Sequence, residues 1–260
     1  MSNNLVSALD LGSKEHIAIV GGGGKTTLMF GLAEELRYTG HRVVTGTTTK
    51  VWQTEALRSP RVVLSLFDSA WHEKVKDGLF ELGHVFVAGN LLESGKVQGI
   101  TGEQADGLYN SDYVDYLVLE ADGAAGRPIK APGDHEPVIP SSVSMVVAMM
   151  GLEAIGKTVG PEVVFRPERF ESLTGLEPGD KLMPTGLARI FKASEGLFKG
   201  TPSSARRVVF LNKLDLVPGD QQAKDLADLL LMPGGGPIDR VIIGSIPKKR
   251  FICYKNSIRR

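Results

Sequence analysis

Four consecutive glycines, Gly21, Gly22, Gly23 and Gly24, run directly into Lys25, Thr26 and Thr27. Glycines let a backbone turn through positive φ and approach an anion closely. N–H groups at a helix start, with the helix dipole behind them, favour negative charge. Lys25 can add a full charge against the β- and γ-phosphates of a nucleotide, and the Thr26 hydroxyl can bind Mg²⁺. Residues 17–20 before the glycines are apolar, and Leu28, Met29 and Leu32 after them begin a helical pattern. Strand, glycine loop and helix N-terminus in that order make a phosphate-binding P-loop.

The loop departs from the usual spacing. The position five residues before Gly24 is Ile19, so from Gly21 it reads G-x-x-G-K-T, two residues short. Short loops of this kind resemble those of the amide-bond-forming Mur ligases and of some GTPases. A second constellation follows the apolar run 116–119, where Glu120 and Asp122 stand at a strand end. Residues two apart in a strand share a side, so both carboxylates could converge on one Mg²⁺ or orient an attacking water. Lys25, Glu120 and Asp122 are thus the candidate catalytic residues, with Thr26, Glu120 and Asp122 for the metal. Which carboxylate meets the metal stays open. A third constellation, Asn212-Lys213-Leu214-Asp215, follows the apolar run 208–211 and matches the N-K-x-D guanine-recognition motif. The Asp215 carboxylate would accept from guanine N1–H and the exocyclic amine, Asn212 would brace the loop, and the Lys213 stem would lie over the base. Gly244-Ser245 could add backbone contacts to that base.

Other polar groups admit two readings each. Residues 45–50, Thr-Gly-Thr-Thr-Thr-Lys, could form a switch segment or simply an ordinary threonine-rich strand end. Arg127 and Lys130 could bind an anionic substrate, and Asp134, His135 and Glu136 could serve acid/base chemistry, yet each taken singly is expected to be solvated surface charge. The basic stretch from Pro247, through Lys248, Lys249, Arg250 and Lys255 to Arg259 and Arg260, is expected to be a solvated tail. Cys253 reads as an incidental thiol.

Apolar strands alternating with helices must carry these groups. Helices are expected over 25–38, 68–82 with Asp68 as cap, 101–109, 167–173, 184–194 and 220–231, with strands over 16–20, from 43 into the threonine run, and over 61–66, 85–88, 116–120, 143–149, 208–211 and a final one at 241–243. A hairpin or loop is expected over 91–100, and an irregular functional segment over 122–140. The fold class is α/β, a three-layer P-loop NTPase-like arrangement of about seven mostly parallel strands with helices on both faces. Ligands of such sheets bind at the carboxyl ends of the strands, where all three constellations fall. The 260 residues, 42% hydrophobic, suit a single domain over 1–260, with 151–205 a possible helical insertion. Thirty basic and thirty acidic residues leave no net charge to draw the chain to nucleic acid or an anionic membrane. One cysteine excludes an internal disulfide framework and a cysteine metal cluster, and with no membrane span or signal peptide the expected compartment is the cytoplasm.

Taken together, VGGGGKTT at 20–27, VVTGTTTK at 43–50, VLEADGAAGRPIKAPGDHEPVIP at 118–140 and VVFLNKLD at 208–215 resemble the YqeC-type family. The resemblance runs over about residues 15–245, and 119–140 is its most specific part. It implies a cytoplasmic P-loop protein accessory to selenium-dependent molybdenum hydroxylases, with that hydroxylase or its cofactor-synthesis proteins as partners. The leading expectation is therefore Mg²⁺-dependent binding and hydrolysis of a nucleoside triphosphate, GTP before ATP, coupled to maturation of that cofactor centre. The alternatives are an ATP-dependent kinase or ligase acting on a small anionic substrate, and a non-catalytic nucleotide-gated binding module.

Overall fold

A computed structural model describes residues 2–232 and 238–256. In chain order the elements begin with α1 (Leu5–Leu9), β1 (Glu15–Gly21), α2 (Lys25–Tyr38), β2 (Val43–Thr47), β3 (Lys50–Trp52), α3 (Gln53–Ala56) and β4 (Val62–Leu64). Next come α4 (Trp71–Leu82), β5 (His84–Ala88), β6 (Lys96–Gln98), α5 (Gly102–Tyr109), β7 (Tyr116–Glu120), β8 (Ile129–Lys130) and β9 (Met145–Gly151). The chain then forms β10 (Val164–Phe165), α6 (Pro167–Thr174), α7 (Pro184–Lys192), β11 (Arg206–Asn212), α8 (Gln221–Leu231), β12 (Arg240–Ser245) and β13 (Arg250–Lys255).

Nine of these strands form one sheet in the order β13-β12-β11-β9-β1-β7-β2-β5-β4. Every pairing is parallel except β12 with β13. Strands buried on both faces need apolar residues at every position, and alternation then divides those residues between two helical layers. Ile17 and Ile19 pack with Leu28, Leu32 and Leu36 of α2, while Ala18 and Val20 pack on the side of Phe170, Leu187 and Leu226 from α6, α7 and α8. Farther along, Val44, Val85 and Leu117 meet α4 and α5 through Trp71, Val75 and Leu108. The three-layer, mostly parallel α/β class expected of a P-loop protein is the fold. Among the described residues, no helix is long and apolar enough to cross a membrane.

The register brings the functional ends level. Glu120 pairs with Ile19 of β1 on one side and Thr47 of β2 on the other, Gly21 pairs with Met149, and Gly151 pairs with Asn212.

Several local expectations are corrected. The sheet has nine strands, not about seven, and the one with no expected counterpart is β13, where the stretch after Pro247 folds back on β12, with Phe251 buried against Phe210 at 5.9 Å between ring centroids. That stretch is therefore no solvated tail; Arg259 and Arg260 lie outside the described residues. Helix α4 starts at Trp71, and Asp68 does not cap it directly: its Oδ1 accepts from Ala70 N–H, and its other oxygen pairs with Lys74. The expected hairpin or loop over 91–100 is present, with Leu92 N–H donating to Lys96 O and Leu91 bridging Val97, and β6 pairs in addition with β3. Within 122–140, β8 pairs with β10, so that segment is not wholly irregular.

Candidate functional site

The glycine loop is held by close contacts that only glycine permits. A Cβ on Gly23, at φ +75°, would stand 2.1 Å from the Gly151 nitrogen, and one on Gly22 would stand 2.5 Å from the Arg127 oxygen. Gly22 N–H donates to Met149 O and Gly23 N–H to Arg127 O, so these two donors are engaged within the chain rather than directed at a ligand. Helix α2 begins at Lys25 with no side-chain cap. The N–H groups of Lys25, Thr26 and Thr27, in its first turn, have no intrahelical acceptor, an arrangement that can receive an anion.

Lys25 folds back over the loop. Its Nζ donates to Gly21 O at 2.8 Å and stands 3.3 Å from Asp122 Oδ1. Asp122, fully buried, accepts at Oδ2 from Gly21 N–H at 3.0 Å and lies 3.2 Å from Lys130 Nζ. Lys130, also fully buried, donates to Gly123 O and to Glu136 Oε2, both at 2.6 Å. Arg166 closes the series with two bonds to Glu136, at 2.7 and 3.2 Å. Burial alone would raise the Glu136 carboxyl, but the bonds from Arg166 and Lys130 outweigh it and hold it down at about 2. Five alternating charges thus run from the P-loop lysine to Arg166. The expectation of solvated surface charge fails for Lys130 and Glu136, whose mutual pairing offsets their desolvation; Asp134 and His135 are exposed.

Glu120 is different. It is 5% exposed, and its Oε1 has no hydrogen-bond partner among the described residues. Burial pushes its carboxyl above the ordinary value, against the opposing pull of Lys25 and the Thr26 hydroxyl. An orphaned buried carboxylate oxygen beside a P-loop threonine is a donor set that fits Mg²⁺. No cluster of three or more His, Cys, Asp or Glu suited to a metal exists among the described residues.

The side chain of Asn212 ties the loop to the strands beside it: its Nδ2 donates to Gly23 O at 2.9 Å and its Oδ1 accepts from Ile246 N–H at 3.3 Å. Lys213 pairs with Glu153 and lines the cleft above the loop. Asp215 sits in a one-turn helix, Leu214–Leu216, exposed and outside the lining of that cleft. Ser245 Oγ accepts from Lys248 N–H in the turn into β13. The hydroxyls of residues 45–49 are largely spent inside the chain: Thr45 bonds His84 at 2.8 Å, Thr47 donates to Glu120 O and Thr48 to Val138 O. Arg127 donates through Nε to Pro161 O.

The cleft has a volume of about 790 Å³ and takes in residues 22–27, Glu120, Asp122, residues 123–127 and Lys213. It also contains a wall that the sequence reading missed, formed by Trp52, Arg58 and Lys96. The one available signal was a tryptophan among charges after the threonine run; the strand that pairs with it lies far along the chain.

A family model described as "YqeC protein" matches residues 17–168. "Uncharacterized protein YqeC" of Escherichia coli (strain K12) is 36% identical over 214 residues, which cover 79% of this chain and 79% of that protein. Among solved structures, signal recognition particle 54 kDa protein of Aeropyrum pernix K1, in complex with GDP, aligns at 15% identity with a TM-score of 0.42. That alignment covers 94% of this chain, which spans 44% of the length of the other. On the family match and the 36% identity, the chain belongs to the YqeC family.

Proposed function

We propose that this protein binds a nucleoside triphosphate with Mg²⁺ in the cleft and hydrolyses it. The observation that carries the reading is the glycine loop at the carboxyl end of β1, with Lys25 folded over it and an unsatisfied Glu120 oxygen beside Thr26. Lys25 exchanges Gly21 O and Asp122 for the β- and γ-phosphates. The uncapped N-terminus of α2 receives the phosphate oxygens. Thr26 and Glu120 hold Mg²⁺, which when bound neutralises charge on the phosphates. Asp122, already engaged by two lysines and Gly21, positions Lys25 instead. GTP is the preferred nucleotide on the strength of Asn212, Lys213 and Asp215. The client, by the family resemblance, is the maturation of a selenium-dependent molybdenum hydroxylase, in the cytoplasm.

The test is calorimetric titration of GTP and of ATP, each with Mg²⁺. Wild type should bind GTP more tightly, Lys25→Ala should bind neither, and Asp215→Ala should lose the preference. Absence of binding by wild type sinks the reading; ATP binding indifferent to Asp215 removes the guanine part alone. One observation favours a second reading, transfer of the γ-phosphoryl to a small anionic substrate: the cleft holds cations, Lys50, Arg58 and Lys96, that pair with no carboxylate among the described residues.

A further inference from the structure

The cations lining the cleft fall into two groups. Lys25, Arg127, Arg166 and Lys213 each stand within 4.0 Å of a carboxylate, those of Asp122, Glu162, Glu136 and Glu153. Lys50, Arg58 and Lys96 have no such partner among the described residues, and the only acid beside them on this wall of the cleft is Glu55.

The reason they gather there is the pairing of β3 with β6. These strands run antiparallel, with Trp52 opposite Lys96 and Lys50 opposite Gln98. Alternation turns Val51 and Val97 into the core and leaves Lys50, Trp52 and Lys96 on the other face. Lys96 Nζ lies 4.7 Å from the Trp52 ring centroid, yet the tryptophan remains 54% exposed. Arg58, just after α3, rests its guanidinium 4.5 Å from the Phe30 ring. An anchored sheet face that offers a large indole together with unneutralised ammonium groups is built for a ligand that has both a flat apolar body and an anionic group.

We propose that this wall is a second-ligand subsite, which takes a small planar aromatic molecule bearing a phosphate or carboxylate. The ring packs on the Trp52 indole, and the anionic group meets Lys50 and Lys96. The subsite rests on the nucleotide reading for what lies beside it, the phosphates over Lys25, but its own contacts do not depend on that reading.

The probe is 1-naphthyl phosphate, with cyclohexyl phosphate as the non-aromatic control. Each is titrated by calorimetry into nucleotide-free protein and into protein saturated with Mg²⁺ and GDP. Naphthyl phosphate should bind both forms, and cyclohexyl phosphate should bind at least about fivefold more weakly. In nucleotide-free protein, Trp52→Ala and Lys96→Met should each weaken the probe at least about fivefold, and Lys25→Ala should leave it unchanged. The two wall residues are at the surface, so circular dichroism should show both variants folded. Absence of binding overturns the proposal, as does loss of the probe in Lys25→Ala. Displacement of GDP by the probe also overturns it, because Trp52 would then be the platform for the nucleotide's own base. If GDP itself fails to bind, the nucleotide reading falls, and the nucleotide-free titrations still decide the subsite.

Discussion

Glu120 and Asp122 stand two residues apart in different surroundings. Asp122 accepts from Gly21 N–H and faces Lys130 at Oδ2, while its Oδ1, which has no hydrogen bond among the described residues, faces the Lys25 charge across 3.3 Å. Glu120 keeps Oε1 unpartnered in a buried place, an arrangement that costs stability in the absence of ligand. Glu120→Gln keeps the shape and removes the charge. The ligand-free variant should be more stable by on the order of 1 kcal/mol, seen as a higher urea midpoint at unchanged slope. Its Mg²⁺-dependent nucleotide affinity should fall by at least about tenfold. A variant that loses stability and still binds tightly would take the metal role away from Glu120. The sequence placed both carboxylates at the end of one strand and could not separate them. What separates them is Lys130, which the central loop carries back to Asp122, a contact that no local pattern announces.

Elements that are contiguous in sequence were legible; elements made by distant partners were not. Strand, glycines and helix α2 follow one another, so the P-loop could be read directly. Each strand of the β3–β6 pair is three residues long and finds its partner far along the chain, and β13 is flanked by basic residues that mimic a tail. The close packing of the glycine loop belongs to the same class of non-local fact. Gly23→Ala should cost more than about 2 kcal/mol, because its Cβ would run into Gly151 backbone, which cannot swing aside as a side chain would. Gly40→Ala provides the comparison. Gly40 has a similar φ of +85°, but a Cβ there meets nothing within 4 Å, so only the backbone strain of roughly 1 kcal/mol applies. Equal thermal shifts for the two variants would show that the loop is not packed as described.

For the whole molecule, two buried histidines and the half-buried Glu136 shape the response to acid. Burial lowers His16 to about 4, against the opposing charge of Asp106. Burial, aided by the charge of Arg37, lowers His84 to about 4 as well. A histidine whose folded value is depressed contributes stability above its unfolded value of 6.5, and that contribution is lost as pH falls toward 4. Glu136, depressed from 4.5 to about 2, follows the same sign in a lower window, between those two values. Each group is worth on the order of 3 kcal/mol when fully expressed. Thermal melts should therefore decline in two stages, first from about pH 6.5 through the histidines and then from about pH 4.5 through Glu136. His84→Gln should remove roughly half of the first stage, leaving the His16 share and the second stage; a flat profile down to pH 4.5 in wild type would contradict the burial of both rings. The engagement of Gly22 and Gly23 N–H with Met149 O and Arg127 O has its consequence in time rather than in energy. On the proposed reading, a triphosphate arriving at the cleft would find the start of α2 open and the base of the loop latched. Were its grip to need those two N–H groups, encounter and grip would be separate events, the second no faster than the latch lets go.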